Sequence, residues 1–447
     1  MKSPESNFSL SRRIVRLAQI RRKYLSDNTS MFVVAAIVGL ITGMAAALLK
    51  WIIALISLLL TSGYHAAAAN WQFLIIPVAG IVLTGIFVRY ILRIDITNGT
   101  SKLISDVRHK MYRLNPRITY GSMIASSLTL GFGGSAGSEG PIAYVGAAIG
   151  STLGRLARFS PRLMKIMMGC GAGAGIAGIF KAPVGGFLYT LEVLRMELST
   201  ISVMAVLTSA VIAAMTAFVC SGFTIDLVFD GIHTFDPSLT VWYLILGLFC
   251  GIYALYYSTV MARMQRVYDH ISNPWLRNLS GGVILAAAVF MFPVLYGEGY
   301  SSMARILACD SEVISGGSAF GLTTSASTIL LMAGGILLLK SFASSAANSS
   351  GGVAGDFAPT LFAGCIAGFL FASFFNFAGL SSLSVADFAF VAMAGVMAGV
   401  VRAPLMALFL VVEMTGCYTL FLPALIVAAV SFGVVRLASR SRFFRLS

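Results

Sequence analysis

The chain has 447 residues, of which 58% are hydrophobic and only 11% are charged, and its mean hydropathy is +0.88. A soluble globular domain carries about 25% charged residues, so the composition excludes a soluble protein and indicates a polytopic membrane protein. The formal net charge of +14 does not indicate nucleic-acid binding, because the positive charges flank apolar segments.

The N-terminal region, residues 1–30, is basic, and its segment SRRIVRLAQIRRKYL predicts an amphipathic interfacial helix. A second basic segment, residues 436–447, follows the last apolar span. Because cytoplasmic loops carry an excess of Lys and Arg, we expect both termini to be cytoplasmic. The first apolar run is long and begins well inside the chain, so we expect no cleavable signal peptide.

Long apolar windows recur along the chain, and several reach the ~20 residues that a transmembrane helix needs. They are Met31–Ile56, Phe73–Ile91, Ile201–Cys220, Val241–Val260, Gly281–Val294, Thr328–Leu339 and Phe421–Val435. Between Gly131 and Leu194, and again between Gly351 and Met414, Gly and Pro break the apolar sequence into shorter runs. These predict half-helices that meet inside the bilayer, where irregular backbone is tolerated only if it lines a protein cavity.

The segment GGSAGSEGP, residues 133–141, places a lone carboxylate in neutral, glycine-rich sequence of membrane depth. Pro141 is suited to a first helical turn, where its missing N–H costs nothing. A helix N-terminus carries about half a positive charge and favours anions. Glu139 therefore either occupies this anion site or swings away and leaves it to a diffusible anion. The alternative is a structural carboxylate that caps nearby amides.

The two motif regions match each other in spacing. Gly137, Pro141, Gly146 and Gly150 recur 218 residues later as Gly355, Pro359, Gly364 and Gly368, and Lys181, Pro183 and Glu192 recur 221 residues later as Arg402, Pro404 and Glu413. The chain thus consists of two homologous halves, predicted at residues 31–225 and 226–435. Interrupted helices at matching places in two halves indicate a transport site near the midplane. The sequence leaves open whether the repeat is parallel or inverted.

Cysteine and histidine give no sign of a metal site, a disulfide framework or a catalytic centre. The six cysteines are scattered singly, and no Ser, Cys or His forms a nucleophile and base pair in the half-helix regions. The four histidines, which lie near predicted loops or helix ends, are read as solvated rather than as proton relays. We therefore expect no enzyme activity, no metal and no cofactor.

The segments GSEGP, GIFKAPVGGFLYTLE, GDFAP and EMTGCYTLFLP resemble the signature segments of the CLC family of chloride channels and proton/chloride exchangers. The resemblance covers nearly the whole chain. It implies an all-α membrane protein with an inverted repeat of about eighteen helices of uneven length, and a homodimer with one anion pathway per subunit. It also implies that Glu139 is the external gating glutamate, and that Phe357 and Tyr418 line a central chloride site.

The predicted site combines one gate, Glu139, with a set of anion ligands. Those ligands are Gly99, Thr100, Gly140, Asp356, Phe357 and Tyr418. Backbone N–H groups and a phenol are moderate donors, which replace the hydration of chloride without holding it too tightly. Two alternatives remain open: Phe357 as an ordinary core aromatic residue, and Tyr418 as an anchor at the membrane interface.

Three departures from the family pattern bear on the mechanism. Many members have GSGIP with a serine at the inner end of the site, whereas this chain reads NGTSK; Gly99 takes the place of the serine, and Thr100 or Ser101 substitutes only if the backbone shifts. Asp356 precedes Phe357, and its side chain is expected either to point away or to cap a helix. The position after Glu192, an internal glutamate in exchangers, is Val193.

Glu192 and Glu413 occupy matching positions in the two halves, so symmetry favours an architectural role, such as accepting backbone N–H bonds, over proton transfer. Lys181 and Arg402 are paired in the same way and are expected to snorkel or to bond carbonyls at helix ends.

The sequence as a whole predicts a protein of the cell inner membrane that transports chloride, as a channel or as a weakly proton-coupled exchanger. Two alternatives are a fully coupled proton/chloride antiporter and a transporter of another anion such as fluoride or nitrate. Its expected partners are chloride, protons if transport is coupled, the lipid bilayer and a second copy of the chain.

Overall fold

The computed structural model describes residues 26–440, apart from 65–69, 97–98, 198, 225–226, 228, 230–234 and 322–324. Most of the predicted N-terminal amphipathic segment and of the basic tail lies outside these residues. Throughout the described ranges the chain forms seventeen α-helices and no strand, in agreement with the predicted all-α fold.

Helices of very different length alternate along the chain. The first eight are α1 (Asp27–Leu60), α2 (Ile76–Ile86), α3 (Gly99–Arg108), α4 (Arg117–Gly131), α5 (Glu139–Leu156), α6 (Pro161–Phe180), α7 (Pro183–Leu188) and α8 (Thr200–Cys220). The remaining nine are α9 (Thr240–His270), α10 (Pro274–Met291), α11 (Tyr300–Leu307), α12 (Glu312–Ser315), α13 (Ala326–Ser349), α14 (Phe357–Phe377), α15 (Val385–Val401), α16 (Pro404–Thr415) and α17 (Phe421–Arg440). Two π-helical segments, Phe87–Leu92 and Tyr189–Val193, extend α2 and α7.

Nine helical segments of the described chain are long and apolar enough to cross a membrane. Two of them, α6 and α14, are enclosed by protein, with 89% and 83% of their most apolar stretch buried, whereas α1 is only 39% buried. Large hydrophobic side chains such as Leu58 and Leu331 are exposed on the outer helices. The molecule therefore has buried inner helices surrounded by outer helices, and the exposed apolar surface of the outer helices can contact lipid.

The inner helices pack at glycine positions that the internal repeat conserves between the halves. In the first half, a Cβ added to Gly146 of α5 would lie 2.0 Å from the carbonyl oxygen of Gly171 in α6. In the second half, a Cβ added to Gly368 of α14 would lie 2.1 Å from the carbonyl oxygen of Phe388 in α15. Only glycine permits this close backbone approach, so the glycine spacing of the repeat fixes one helix pair in each half.

Helices α6 and α15, which occupy matching positions in the two halves, start and end in the same way. The Oγ of Ser160 caps α6 and the Oγ of Ser384 caps α15. Lys181 ends α6 with φ +56° and Arg402 ends α15 with φ +60°, both left-handed, and a proline opens the next helix two residues later. The Lys181 Nζ donates to the carbonyl of Thr224 at 2.5 Å, so this lysine bonds a backbone carbonyl as predicted.

Candidate functional site

Two glycine-rich segments meet where α5 and α14 begin. The Gly137 N–H donates to the Gly355 carbonyl at 2.9 Å, and the Gly355 N–H donates to the Gly137 carbonyl at 2.7 Å, which forms an antiparallel bridge. These glycines are matching positions of the repeat. The bridge therefore holds the start of a helix from one half against the start of a helix from the other.

Glu139 is the first residue of α5 and is 1% exposed. Its Oε1 accepts a hydrogen bond from the backbone N–H of Phe357, the first residue of α14. The first N–H groups of a helix lack intrahelical acceptors and carry partial positive charge. The other oxygen, Oε2, has no hydrogen-bond partner among the described residues. A carboxylate of one half thus occupies a helix N-terminus of the other.

The two bridging glycines leave room for this carboxylate. A Cβ added to Gly137 would lie 1.9 Å from Oε2 of Glu139, and one added to Gly355 would lie 2.6 Å from Oε1. Such distances are far shorter than any stable contact, so a side chain at either position would displace the carboxylate. The glycines of the two Gly-x-x-x-Pro motifs therefore form the bridge and also leave the space that the Glu139 carboxylate occupies.

Helix α3 contributes a third N-terminus. Gly99 begins α3 and is buried, and a Cβ added to it would lie 2.9 Å from the carbonyl oxygen of Gly140. The Oγ1 of Thr100 lies 3.0 Å from the Cβ position of Gly140, whereas Ser101 is exposed. Of the two hydroxyls in NGTSK, that of Thr100 therefore faces the start of α5; Asn98, in the same segment, lies outside the described residues.

Phe357 packs against a tyrosine that the sequence analysis did not select. The rings of Tyr189 and Phe357 meet edge to face, with centroids 5.9 Å apart at an interplanar angle of 65°. Tyr189 is fully buried, and its phenol interacts with Thr100 and Glu139. In the sequence, a tyrosine within the apolar run FLYTLE reads as a core residue. The one sequence feature that could have marked Tyr189 as a site residue was its place in a half-helix motif, eight residues after Lys181.

Tyr418 lies in the connection between α16 and α17. Its side chain is 59% exposed, its carbonyl accepts the N–H of Phe421 at 3.1 Å, and the charged group that acts on its phenol is Glu413. Both roles that the sequence analysis considered for Tyr418, anion ligand and interfacial anchor, therefore stay predictions.

Asp356 immediately precedes α14, and its carboxylate turns away from the helix start. Its Oδ1 accepts a hydrogen bond from Nδ2 of Asn348 on α13, and the side chain makes no capping bond to α14. Its carbonyl accepts the N–H of Thr360 at 3.2 Å. Of the two expected orientations, the structure therefore shows the one in which the acid is bonded away from the helix N-terminus.

Lys340 of α13 is a buried basic residue that the sequence analysis missed. It is 1% exposed, its Nζ donates to Oγ of Ser135 at 2.8 Å, and it lies 4.7 Å from the ring centroid of Phe362. Its charge also interacts with those of Glu139 and Glu298. An ionisable residue within an apolar span is a functional-site candidate by default, and the run ILLLK contained that signal.

Glu298 links the loop before α5 to an open cavity. Its Oε1 accepts the backbone N–H of Ser138 at 2.8 Å and the Ser138 hydroxyl at 2.6 Å. The residue also lines a cavity of about 510 Å³ together with Lys50, Lys181 and Tyr300. Two lysines and an acid therefore line this opening, and the acid bonds Ser138, the residue that precedes Glu139.

A family model and a related transporter both match most of the chain. A family model described as voltage gated chloride channel matches residues 80–436. The H(+)/Cl(-) exchange transporter ClcA of Salmonella typhi is 28% identical over 451 aligned residues, which cover 95% of this chain and 90% of that protein.

Two solved structures share the fold. A slow cyanobacterial Cl-/H+ antiporter has a TM-score of 0.77 at 22% identity, covering 94% of this chain and 97% of that one. A CLC-type fluoride/proton antiporter has a TM-score of 0.76 at 20% identity, covering 92% and 96%. These likenesses confirm the predicted all-helical fold of the CLC type with its inverted repeat.

Proposed function

The chain belongs to the voltage gated chloride channel family, and on this premise we propose that it transports chloride and similar small anions across a membrane, with Glu139 as the gate. One observation carries the proposal. The Glu139 carboxylate accepts the N–H of Phe357 at the start of α14, where a helix N-terminus favours any small anion. The carboxylate stands where a transported anion would bind.

The gate follows from competition between two anions for one helix N-terminus. While Glu139 is ionised and bonded to Phe357, it excludes a diffusible anion. Protonation removes its charge and weakens its hold on the helix dipole, and the side chain then leaves the N–H groups to chloride. The Thr100 hydroxyl and the backbone at Gly99 and Gly140 supply the inner side of the same site.

The ligands are all neutral, which permits release as well as binding. A fixed cation in direct contact would hold chloride too tightly for conduction, whereas several moderate donors allow it to enter and leave. Asp356 contributes only its backbone, because its carboxylate is bonded to Asn348. Lys340 acts at longer range, through the loop that precedes Glu139.

Coupling to protons is proposed to be weak or absent. The position that carries a second, internal glutamate in exchangers is Val193 in this chain, so the obvious relay is missing. A fully coupled antiporter is the second candidate, and the similarity to proton-coupled antiporters supports it. Similarity to a fluoride/proton antiporter keeps fluoride among the candidate anions.

The proposal extends to location and assembly. The basic residues at both ends of the chain support cytoplasmic termini and a multi-pass protein of the cell inner membrane. The family resemblance supports a homodimer with one pathway per subunit. Light scattering on the purified protein, corrected for detergent, tests the homodimer directly.

Substitution of the gate tests the proposed function. Wild type, Glu139→Gln and Glu139→Ala are reconstituted in liposomes, and efflux of chloride, fluoride and nitrate is followed together with internal pH. Both variants should move anions at least as fast as wild type while any proton movement disappears. Glu312→Gln, which changes an exposed carboxylate, serves as the control. Loss of anion flux in Glu139→Ala would instead favour the structural, capping role.

A further inference from the structure

The hydroxyl of Tyr189 is a buried polar group that lies near Thr100 but makes no hydrogen bond of ordinary geometry with a described residue. The residue is 0% exposed, and within the described ranges its hydroxyl has no hydrogen-bond partner of ordinary geometry. A buried polar group that stays unpaired costs free energy that phenylalanine would avoid. The hydroxyl therefore needs an explanation that packing alone does not provide.

The residues around Tyr189 place its hydroxyl near the proposed anion site. The Tyr189 ring packs edge to face on Phe357, whose N–H holds the Glu139 carboxylate. The phenol itself interacts with the side chains of Thr100 and Glu139. These three residues belong to α3, α5 and α14, so the hydroxyl lies where the three helix starts converge.

Local backbone geometry supports this placement. Tyr189 opens the π-helical segment Tyr189–Val193, which continues α7. Short π-helical stretches within α-helices often occur at functional sites. The wider turn changes the direction of the side chains from that point onward, and Tyr189 is the first residue it affects.

Other buried tyrosines show that burial alone does not create this arrangement. The hydroxyl of Tyr253 donates to the carbonyl of Leu337 at 2.8 Å, which is the usual outcome for a buried phenol. Tyr268 also has an unpartnered hydroxyl among the described residues, yet it lies near the end of α9, away from the three helix starts. Tyr257 of α9 also has a buried hydroxyl without a partner, and its phenol interacts with Asp356 and Glu139. Of these tyrosines in the described chain, Tyr189 is the one whose ring packs on Phe357 at the start of α14.

We propose that Tyr189 binds the transported anion through its hydroxyl, as the phenol donor of the site beside Phe357. This inference rests on the proposed function, because it names a further ligand of the same anion site. It adds Tyr189 to the anion ligands that the sequence analysis selected, among them Tyr418. A phenol is a neutral donor of moderate strength, so it adds affinity without preventing release.

The hydroxyl is tested by a substitution that preserves the ring. Tyr189→Phe keeps the edge-to-face contact with Phe357 and removes only the donor. Chloride binding is measured by titration calorimetry with sodium chloride, in a Glu139→Gln background so that the carboxylate does not compete. Loss of a hydrogen bond to a charged partner should weaken binding about tenfold. Tyr268→Phe in the same background should bind chloride as the parent does.

The outcomes separate this inference from the function on which it rests. If the parent binds chloride and Tyr189→Phe binds it equally well, the inference is wrong and the proposed function stands. If the parent neither binds nor transports any anion, the proposed function fails and the inference fails with it. A melting temperature is recorded for each variant. Tyr189→Leu is a second variant that removes the hydroxyl without adding a donor, and weak binding by both variants with unchanged melting supports the inference.

Discussion

The Glu192 carboxylate accepts the N–H of Met406 at 2.8 Å, and the Glu413 carboxylate accepts the N–H of Gly185 at 2.8 Å. Each glutamate therefore caps the first turn of a helix in the opposite half, α16 and α7 respectively. Reciprocal capping is the architectural use that the symmetry of the two positions predicted. Both carboxylates are engaged in holding the halves together.

Removing either carboxylate should lower the stability of the fold, and removing Glu413 should lower it more than removing Glu192. Glu413→Leu leaves partly buried N–H groups without an acceptor, and an unpaired buried donor costs on the order of 2 kcal/mol. Glu192→Leu should cost less, because one of its two bonds is long, at 3.4 Å, and exposed. Thermal unfolding in detergent gives the ranking. Unchanged melting together with lost proton movement would identify a proton carrier instead.

The Gly355→Ala substitution should displace the carboxylate of Glu139, the proposed gate, from the start of α14. The new methyl group would lie 2.6 Å from Oε1 of Glu139 and 2.7 Å from the Gly140 nitrogen, so the carboxylate must leave the start of α14. We expect anion flux to resemble that of Glu139→Ala, with the melting temperature lowered by several degrees. Gly433→Ala is the matched control, since nothing lies within 4 Å of its Cβ position.

A wild-type flux profile for folded Gly355→Ala would contradict this account. It would mean that the loop relaxes without moving Glu139, and that the close fit at the bridge does not set the position of the gate.

Lys340 should influence anion binding through its charge. Lys340→Met keeps most of the volume and removes the cation that bonds Ser135 and interacts with Glu139. Because a buried charge is costly to desolvate, we expect little loss of stability, but chloride binding should weaken about tenfold at an effective dielectric constant near 20. Lys340→Arg should retain most of the affinity. Titration calorimetry compares the three proteins, and equal affinity in Lys340→Met would show that the lysine only supports the loop.

The parts of the fold that depend on spacing could be predicted from the sequence. The recurrence of Gly137 and Pro141 as Gly355 and Pro359 predicted two matching helix starts, and the structure bridges those two glycines. The predicted half-helices also appear, the shortest of them α7. These features are local, because glycine and proline act on the backbone where they stand.

Side chains that meet only through the tertiary structure were harder to predict. Tyr189 and Tyr418 both lie in family-like motifs, yet one is fully buried beside Phe357 and the other is 59% exposed. Nothing in the period of an apolar run distinguishes a tyrosine that is buried from one that is exposed. Lys340 was hidden for the same reason: its partner Ser135 is 205 residues away in the chain.

The proposal of weak proton coupling rests on Val193, which ends the π-helical segment and packs, half-buried, against the hydrophobic core. A charged side chain in the bilayer centre costs on the order of 3 kcal/mol on insertion scales, so a chain that needed a proton relay here would have reason to keep an acid. Without it, protons must travel by water along the anion pathway to Glu139, and coupling should be loose or absent. We therefore expect wild type to move fewer protons per chloride than family exchangers with both acids, and Val193→Glu to retain anion transport. Vesicles with a chloride gradient as the only driving force decide the matter, because sustained uphill proton pumping at a fixed ratio by the wild type would overturn this expectation.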